Sequence, residues 1–394
     1  MGEPLRARPC RTSRLATRGV AVVVATICVA GPTIAWGSAA GSVPTSATAT
    51  VPPNNDALAS VSCANATSCF AVGTSGPHNS SVLRTLTEHW NGKTWSRVPS
   101  PNSPGAVVSV LSGVSCPSAT TWFAVGYATT NASETRFSVL VERWNGKTWS
   151  MVSTPNPTGT TDQQLNSVSC PNAKTCFAVG AAGVERWDGT TWSIVPSVGV
   201  GLRSSVSCTN ATSCLAVGDS AARWNGKTWS HVPTPTPGTS QLGEGFEMNG
   251  VSCTKATTCL AVGMDAVPLA DFAALSERWN GKTWTLAGYG VWPNGDAYFN
   301  GVSCTNATNC IGVGASDASD FGVGPAARAF IDSWDGTTWS AVASPQFGDG
   351  NSWLAAVSCV SATNCYAVGY ISEPYFRYTF TLIEHWDGTT WSKV

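Results

Sequence analysis

Twelve cysteines stand in six C-x5-C pairs: Cys63/Cys69, Cys170/Cys176, Cys208/Cys214, Cys253/Cys259, Cys304/Cys310 and Cys359/Cys365. Closely spaced cysteines support two chemistries, disulfide formation and metal ligation. The spacing is not that of a zinc site and the chain has only 4 His, so no metal site is expected. Disulfides are the reading, and they imply an oxidising compartment. Closing a loop of about seven residues contributes roughly 2 kcal/mol in the chain-entropy model. Cys116 departs from the pattern, because Trp122 stands where its partner should be. It reads as a small buried residue, with an intermolecular disulfide as the alternative.

Carboxylates form two groups. Glu88, Glu142, Glu185, Glu277, Asp332 and Glu384 each stand two residues before a Trp, a position that Ala222 takes once. An acid present in nearly every repeat serves the repeat, and a cross-strand contact near the following turn is expected of it. The second group lies among non-repeated aromatics late in the chain. Trp292, Tyr298, Trp353, Tyr370 and Tyr375, with Asp296, Asp349 and Glu373, are the candidate ligand-binding residues. Aromatic faces stack on sugar rings and carboxylates accept from their hydroxyls. The competing role for these aromatics is to plug a central channel. No G-x-S-x-G elbow, H-E-x-x-H pair or phosphate loop occurs, so no catalytic residue is assigned and no cofactor is expected.

These side chains ride on a repeat. The phrase V-S-C recurs at Cys63, Cys116, Cys170, Cys208, Cys253, Cys304 and Cys359, followed by a short [AG]-V-G run. A second phrase, Trp then Asn-Gly or Asp-Gly, two residues and another Trp, follows each one, from Trp90/Trp95 to Trp386/Trp391. Each unit reads as four strands. Strand A ends in V-S-C, and strand B carries the A-V-G run. Strand C ends in the first Trp, and strand D begins with the second and stops at a proline. The Asn-Gly or Asp-Gly step predicts a tight hairpin of type I′ between C and D. Seven such units predict an all-β protein, a seven-bladed β-propeller of four-stranded antiparallel blades, with one hairpin disulfide in six of them. Blades start near residues 57, 108, 164, 202, 247, 298 and 353. No spare strand is evident to close the ring; Val51–Asn54 resembles the end of a strand D and reads as a linker or a weak clasp.

In such a blade the A–B and C–D turns share one face of the disc, while the B–C loops and D–A links share the other. The first set is nearly constant in length. The second varies, and it is shortest in blades 3 and 4, where Ala181-Ala182-Gly183 and Asp219-Ser220-Ala221 suffice. Variable loops on a rigid scaffold are where binding is expected.

The single glycine after strand B (Gly73, Gly126, Gly180 and their equivalents), the Trp of strand D and the proline exit resemble the kelch or galactose-oxidase type of blade. Kelch blades carry a glycine pair at that point. Gly92-Lys93-Thr94-Trp95 is similar to the end of the Asp-box of sialidase-like propellers, with Trp90 where that motif has its Asp. The resemblance implies a propeller, of secreted bacterial type, over about 57–394 and no particular activity. A galactose-oxidase-like copper site is not expected, because the unpaired Cys116 falls on the constant face.

The chain begins differently. Five Arg precede an apolar run from Gly19 to Ala30, and Ser38-Ala39-Ala40 follows. This is the layout of a secretory signal peptide over residues 1–40, with 41–56 as linker and 57–394 as propeller. Its removal leaves 17 Lys and Arg against 22 Asp and Glu, a net charge near −5. With no basic tract, neither nucleic acid nor a membrane is an expected partner, and a secreted monomer is. The expected function is a non-catalytic binding or scaffold module for glycans or cell-surface proteins, using the B–C/D–A loop face. The alternatives are a polysaccharide-active hydrolase or lyase using loop carboxylates, and a structural envelope protein.

Overall fold

The computed structural model describes residues 54–394, apart from 132–135, 157–160, 198–203, 236–245, 268–269, 292–295, 318–326, 346, 348–349 and 374–377. Every segment left out inside this range belongs to a B–C loop or a D–A link, so Trp292, Asp349 and Tyr375 lie outside the described residues. Among the described residues there are seven four-stranded sheets, each in the order A-B-C-D and each built from one contiguous stretch. Blade 1 sets the pattern with β1 (Asn54–Asn65), β2 (Ser68–Pro77), β3 (Arg84–Trp90) and β4 (Trp95–Arg97). All pairings within it are antiparallel. Its first strand starts at Asn54, so the end of the segment read as linker belongs to the blade.

The V-S-C serine and cysteine join neighbouring blades. The Cys170 N–H donates to Ser115 Oγ, Cys208 to Ser169, Cys253 to Ser207, Cys304 to Ser252 and Cys359 to Ser303. Cys63 N–H donates to Ser358 Oγ across the ends of the ring at 3.2 Å. The ring therefore closes by packing and side-chain hydrogen bonds, with no strand shared between the first and last blades. At the junction of blades 1 and 2, Val114 N–H donates instead to Ser60 Oγ, three residues before Cys63.

The six C-x5-C disulfides are formed, each with a Cα–Cα distance of 4.0 Å across the A–B hairpin. They fit an oxidising, extracellular setting. The two ends of each bridge differ in burial. The second cysteine, on strand B, is a core residue: Cys69 and Cys176 have no exposed surface, Cys365 is 1% exposed and Cys214 2%. Cys259 and Cys310 are buried with them, each in a hydrophobic cluster that spans the seam with the preceding blade. The first cysteine, on strand A, is half-buried in five pairs, and only Cys170 is buried. The cause is the pleat of strand B, which carries the cysteine and the Ala of the A-V-G run on one face and packs that face into a seam, as Cys69 and Ala71 do. The disulfides thus tie the hairpin to the core.

In blade 2 the Trp122 indole fills the place of the missing sulfur. It is fully buried, 5.0 Å from the Phe70 ring of blade 1. Cys116 remains a free, half-buried thiol, and burial pushes it up to about 12.

The glycine of the A-V-G run has a steric cause. A Cβ on Gly73, Gly126, Gly180, Gly263, Gly314 or Gly369 would lie between 1.9 and 2.1 Å from a carbonyl oxygen of strand A. In five blades strand A is irregular just beyond that carbonyl, as between Leu58 and Ser60. The bulge brings the backbone against strand B, and no side chain fits between.

The C–D turn is a hairpin, but not of type I′. Trp90 pairs with Trp95, which leaves a four-residue loop, Asn91–Thr94. Asn91 N–H donates to the Thr94 carbonyl at 3.3 Å, and Asn91 Oδ1 accepts from the amides of Lys93 (2.9 Å) and Thr94 (3.0 Å). Only the glycine takes a left-handed φ, 91° at Gly92, where type I′ would require Asn91 to do so as well. The Asn or Asp is there for its side-chain oxygen. In the Asp versions these turn bonds, backbone Thr191 first at Asp188, hold the carboxyl well below its usual range.

The repeated Trp pairs pack the seams. Phe123 of blade 2 meets Trp187 and Trp192 of blade 3 at 5.1 and 5.5 Å, and Phe177 repeats this with Trp224 and Trp229. Tyr366 of blade 7 meets Trp90 and Trp95 of blade 1 at 5.5 and 5.6 Å. The first Trp also donates its indole N–H to the A–B turn, as from Trp90 to the Ala66 carbonyl at 3.0 Å. That bond places the two constant turns on one face.

Candidate functional site

The loop face is stepped. Strand B runs for 10 residues in blades 1 and 5 but for only 6 and 5 in blades 3 and 4. Blade 3 turns over Ala181-Ala182 alone, with Gly180 paired to Gly183. The long strands of blades 5 to 7 stand above this floor and carry the described candidates.

Blade 7 holds the tightest group. Trp353 opens strand A, Tyr370 ends strand B, and the two are paired residues in adjacent strands. Their rings are stacked at 4.8 Å and 25°. Tyr298 of blade 6 stands beside Tyr370, whose hydroxyl is pushed up to about 12 by burial first and by Tyr298 second. All three side chains are half-buried.

The carboxylates are engaged separately. Asp296, buried at the start of strand A in blade 6, accepts the Phe272 amide on Oδ1 at 3.1 Å. Asp265, fully buried in blade 5, accepts from the Tyr289 hydroxyl at 2.9 Å. Glu247 accepts from Ser204 Oγ at 3.3 Å. Glu373 is exposed at the end of strand B in blade 7, where its amide donates to the Tyr378 carbonyl. Tyr378 in turn packs on the His78 ring at 4.4 Å, joining blades 7 and 1. The structure thus brings together Tyr298, Trp353 and Tyr370. It places Asp296 and Glu373 on different blades.

The acids before the Trp are buried in all six blades that have them. Glu88 meets the expected cross-strand partner, Arg97 on strand D of its own blade, at 3.9 Å, while three others reach a neighbouring blade. Thr154 Oγ1 of blade 2 donates to Glu185 of blade 3, Ser344 Oγ of blade 6 to Glu384 of blade 7 at 3.1 Å, and the Val291 amide of blade 5 to Asp332 of blade 6 at 2.6 Å. These three acids hold the D–A link leaving the preceding blade. Burial pushes Glu142 and Glu277 up to about 8, Glu185 and Glu384 to about 7, and Asp332 to about 6. These groups are enclosed in seams, away from any opening to a substrate.

Sequence reasoning expected a central channel but did not identify the residues that line it. About 170 Å³ lies between the seven strands A, lined by small or neutral polar residues such as Ser60, Gly113, Ser167, Gly250 and Gly301. A Cβ on Gly250 would stand 3.1 Å from the Gly301 Cα. The signal was present, since the third residue before each V-S-C cysteine is always Gly, Ser or Ala.

No family model matches the chain, and no curated protein sequence does. Solved structures do resemble it. YCF48 bound to D1 peptide superposes with a TM-score of 0.52 at 12% identity, over 86% of this chain and 95% of that one. The GH74 xyloglucanase from Xanthomonas campestris gives 0.54 at 11% identity, over 87% of this chain and 55% of the enzyme. Trypanosoma rangeli sialidase gives 0.48 at 13% identity, over 84% of this chain and 55% of that one. At these identities the likeness shows the propeller fold alone, and the finer kelch assignment gains no support from a family model.

Proposed function

We propose that this chain is a secreted, non-catalytic binding or scaffold propeller that recognises glycans or glycan-bearing cell-surface partners through its B–C/D–A loop face. The stacked Trp353/Tyr370 pair, with Tyr298 beside it, carries the reading. It is a preformed aromatic group on the loop face, a surface suited to a sugar ring. The described carboxylates favour binding over catalysis. Asp265, Asp296 and Glu247 each serve a structural hydrogen bond, whereas a glycosidase needs two carboxyl groups facing one bond.

A glycan array tests this. Selective binding of a neutral glycan is expected, and Trp353→Ala should weaken it about tenfold by removing a stacking face. Absence of binding across the array, or binding unchanged by Trp353→Ala and Tyr298→Ala, overturns the glycan reading. Release of reducing ends from a bound polysaccharide would establish the hydrolase instead.

A further inference from the structure

The fold gathers cations that the sequence scatters. In blades 2 to 5 the residue before the first Trp is Arg143, Arg186, Arg223 or Arg278. The adjoining C–D turns of blades 2, 4 and 5 add Lys147, Lys227 and Lys282, all exposed. These cations come from stretches of chain far apart in sequence, yet all stand on the constant face. In this arc the constant turns hold a single carboxylate among the described residues, Asp188. On the opposite face, Asp162, Asp219, Glu247, Asp265, Asp296 and Glu373 lie in or beside the B–C loops and D–A links. The propeller thus gathers cations on the constant face of this arc, while its loop face carries these acids together with Arg84, Arg136 and Arg328.

The basic face is open to a ligand. Among the described residues the ion pairs are those of Arg97 with Asp56 and Glu88, so the arc's cations have no carboxylate partner. The arginines are also held in place. Arg143 lies 5.7 Å from the Phe123 and Trp187 ring centroids, and Arg186 lies 5.9 Å from that of Phe177. The Nε atoms of Arg143, Arg186 and Arg223 are buried without a hydrogen-bond partner, while the residues remain half-exposed. A guanidinium fixed this way loses little freedom when it meets an anion. At the end of the arc, a cavity of about 180 Å³ opens between blades 5 and 6, lined by Arg278, Thr254, Thr258, Asn306 and Thr308 over Leu260. Leu260 stands where blades 1, 2, 3 and 7 have Phe or Tyr, which leaves the space.

We infer that the constant face of blades 2 to 5 binds an anionic polysaccharide, with Arg278 and the cavity beside it taking one charged sugar unit. The repeat presents a cation at each successive blade, which suits a polymer with a charge at each successive unit. Hydroxyl and amide groups of the A–B turns serve the sugar hydroxyls, and arginine takes carboxylate or sulfate in a two-pronged contact. The disulfides place the chain where such polymers, and not nucleic acid, are the abundant polyanions. This surface is distinct from the loop face and independent of Trp353.

The test compares binding of the full-length protein to polygalacturonate, dextran sulfate, neutral dextran and duplex DNA at low salt. Binding to one or both anionic polysaccharides, absent for neutral dextran and weakening as salt rises, is expected. The triple variant Lys147→Glu/Lys227→Glu/Lys282→Glu changes only exposed turn residues, and a thermal melt confirms its fold. It should bind about tenfold more weakly or worse, and Arg278→Ala should separately reduce affinity. Trp353→Ala should leave this binding intact. Wild-type binding no tighter to the anionic polymers than to dextran, an unaffected triple variant, or DNA bound as tightly as the polysaccharides each overturns the proposal.

Discussion

Trp122 shows how one substitution rearranges a seam without changing the fold. Six blades hold the A–B hairpin with a disulfide, and blade 2 holds it with an indole. The Trp122 ring packs on Phe70, and its N–H reaches the Ala119 carbonyl at 3.4 Å. Trp122→Cys would restore the pair with Cys116 and place their sulfurs as in the other blades. A loop of that size is worth roughly 2 kcal/mol, but emptying a buried Trp site costs about 3–5 kcal/mol. The variant should therefore form the disulfide, shown by loss of the free thiol, and still unfold at lower denaturant by about 1–3 kcal/mol. A more stable variant would mean that the indole is a poor substitute and not the seam's main filler. The cysteine pairs were legible because spacing alone brings the sulfurs across a hairpin. That Cys69, Cys176, Cys214 and Cys365 face the core was not, because their burial is supplied by the neighbouring strands and blades. The reason for the A-V-G glycine was hidden in the same way, since the carbonyl it must admit belongs to another strand.

The acids at the end of strand C are best understood with the links they hold. Each lies buried in the seam between two blades, where burial penalises its charged form, so folding raises its pKa. Below an unfolded value near 4.5 both states are protonated and these groups add no pH dependence. As pH rises toward 8, the native state retains protons that the unfolded chain has lost, and stability falls. The window runs from about pH 5 to pH 8, since Asp332 lies near 6, Glu185 near 7 and Glu142 near 8. Calorimetry should show the melting temperature decreasing steadily across this range. Glu142→Gln should be nearly neutral at pH 5 and stabilising by about 1–3 kcal/mol near pH 8.5. A melting temperature that rises with pH would overturn the assignment of these groups. Sequence identified the acids as structural and its cross-strand contact holds for Glu88 with Arg97, but it did not reach the partners of Glu185, Asp332 and Glu384 on the preceding blade. Thr154 and Glu185 are separated by a whole link and three strands, and nothing local to Glu185 points to Thr154. The turn type was misjudged for a related reason, since Asn-Gly opens both two- and four-residue loops. Only the pairing of Trp90 with Trp95 decides between them.

Seven blades in sequence order leave the ring with one seam that no chain crosses. The sequence showed that a closing strand was missing but not what replaces it, because the replacement is the ordinary seam repeated once more. Tyr366 meets Trp90 and Trp95 as Phe177 meets Trp224 and Trp229, and Cys63 bonds Ser358 as Cys208 bonds Ser169. The Thr379 amide adds a bond to Asn55 Oδ1 at 3.2 Å. The contacts at the two seams are alike, but the consequences of breaking them differ. Blades 3 and 4 stay tethered when their seam loosens, so the loop to be reclosed is short. When the seam between blades 7 and 1 opens, the whole propeller becomes the loop, and closing it again costs more conformational entropy. Stability in such a repeat array is close to a sum of neighbour terms, so blades 1 and 7 should fray first. Hydrogen exchange measured by blade should therefore show Phe177→Ala loosening its seam locally within one cooperative unfolding. Tyr366→Ala should instead deprotect blades 1 and 7 ahead of the other five and broaden the thermal transition. The same distribution of exchange in both variants would show that the uncrossed seam is no weaker than the rest, and that packing alone makes the ring as cooperative as a shared strand would.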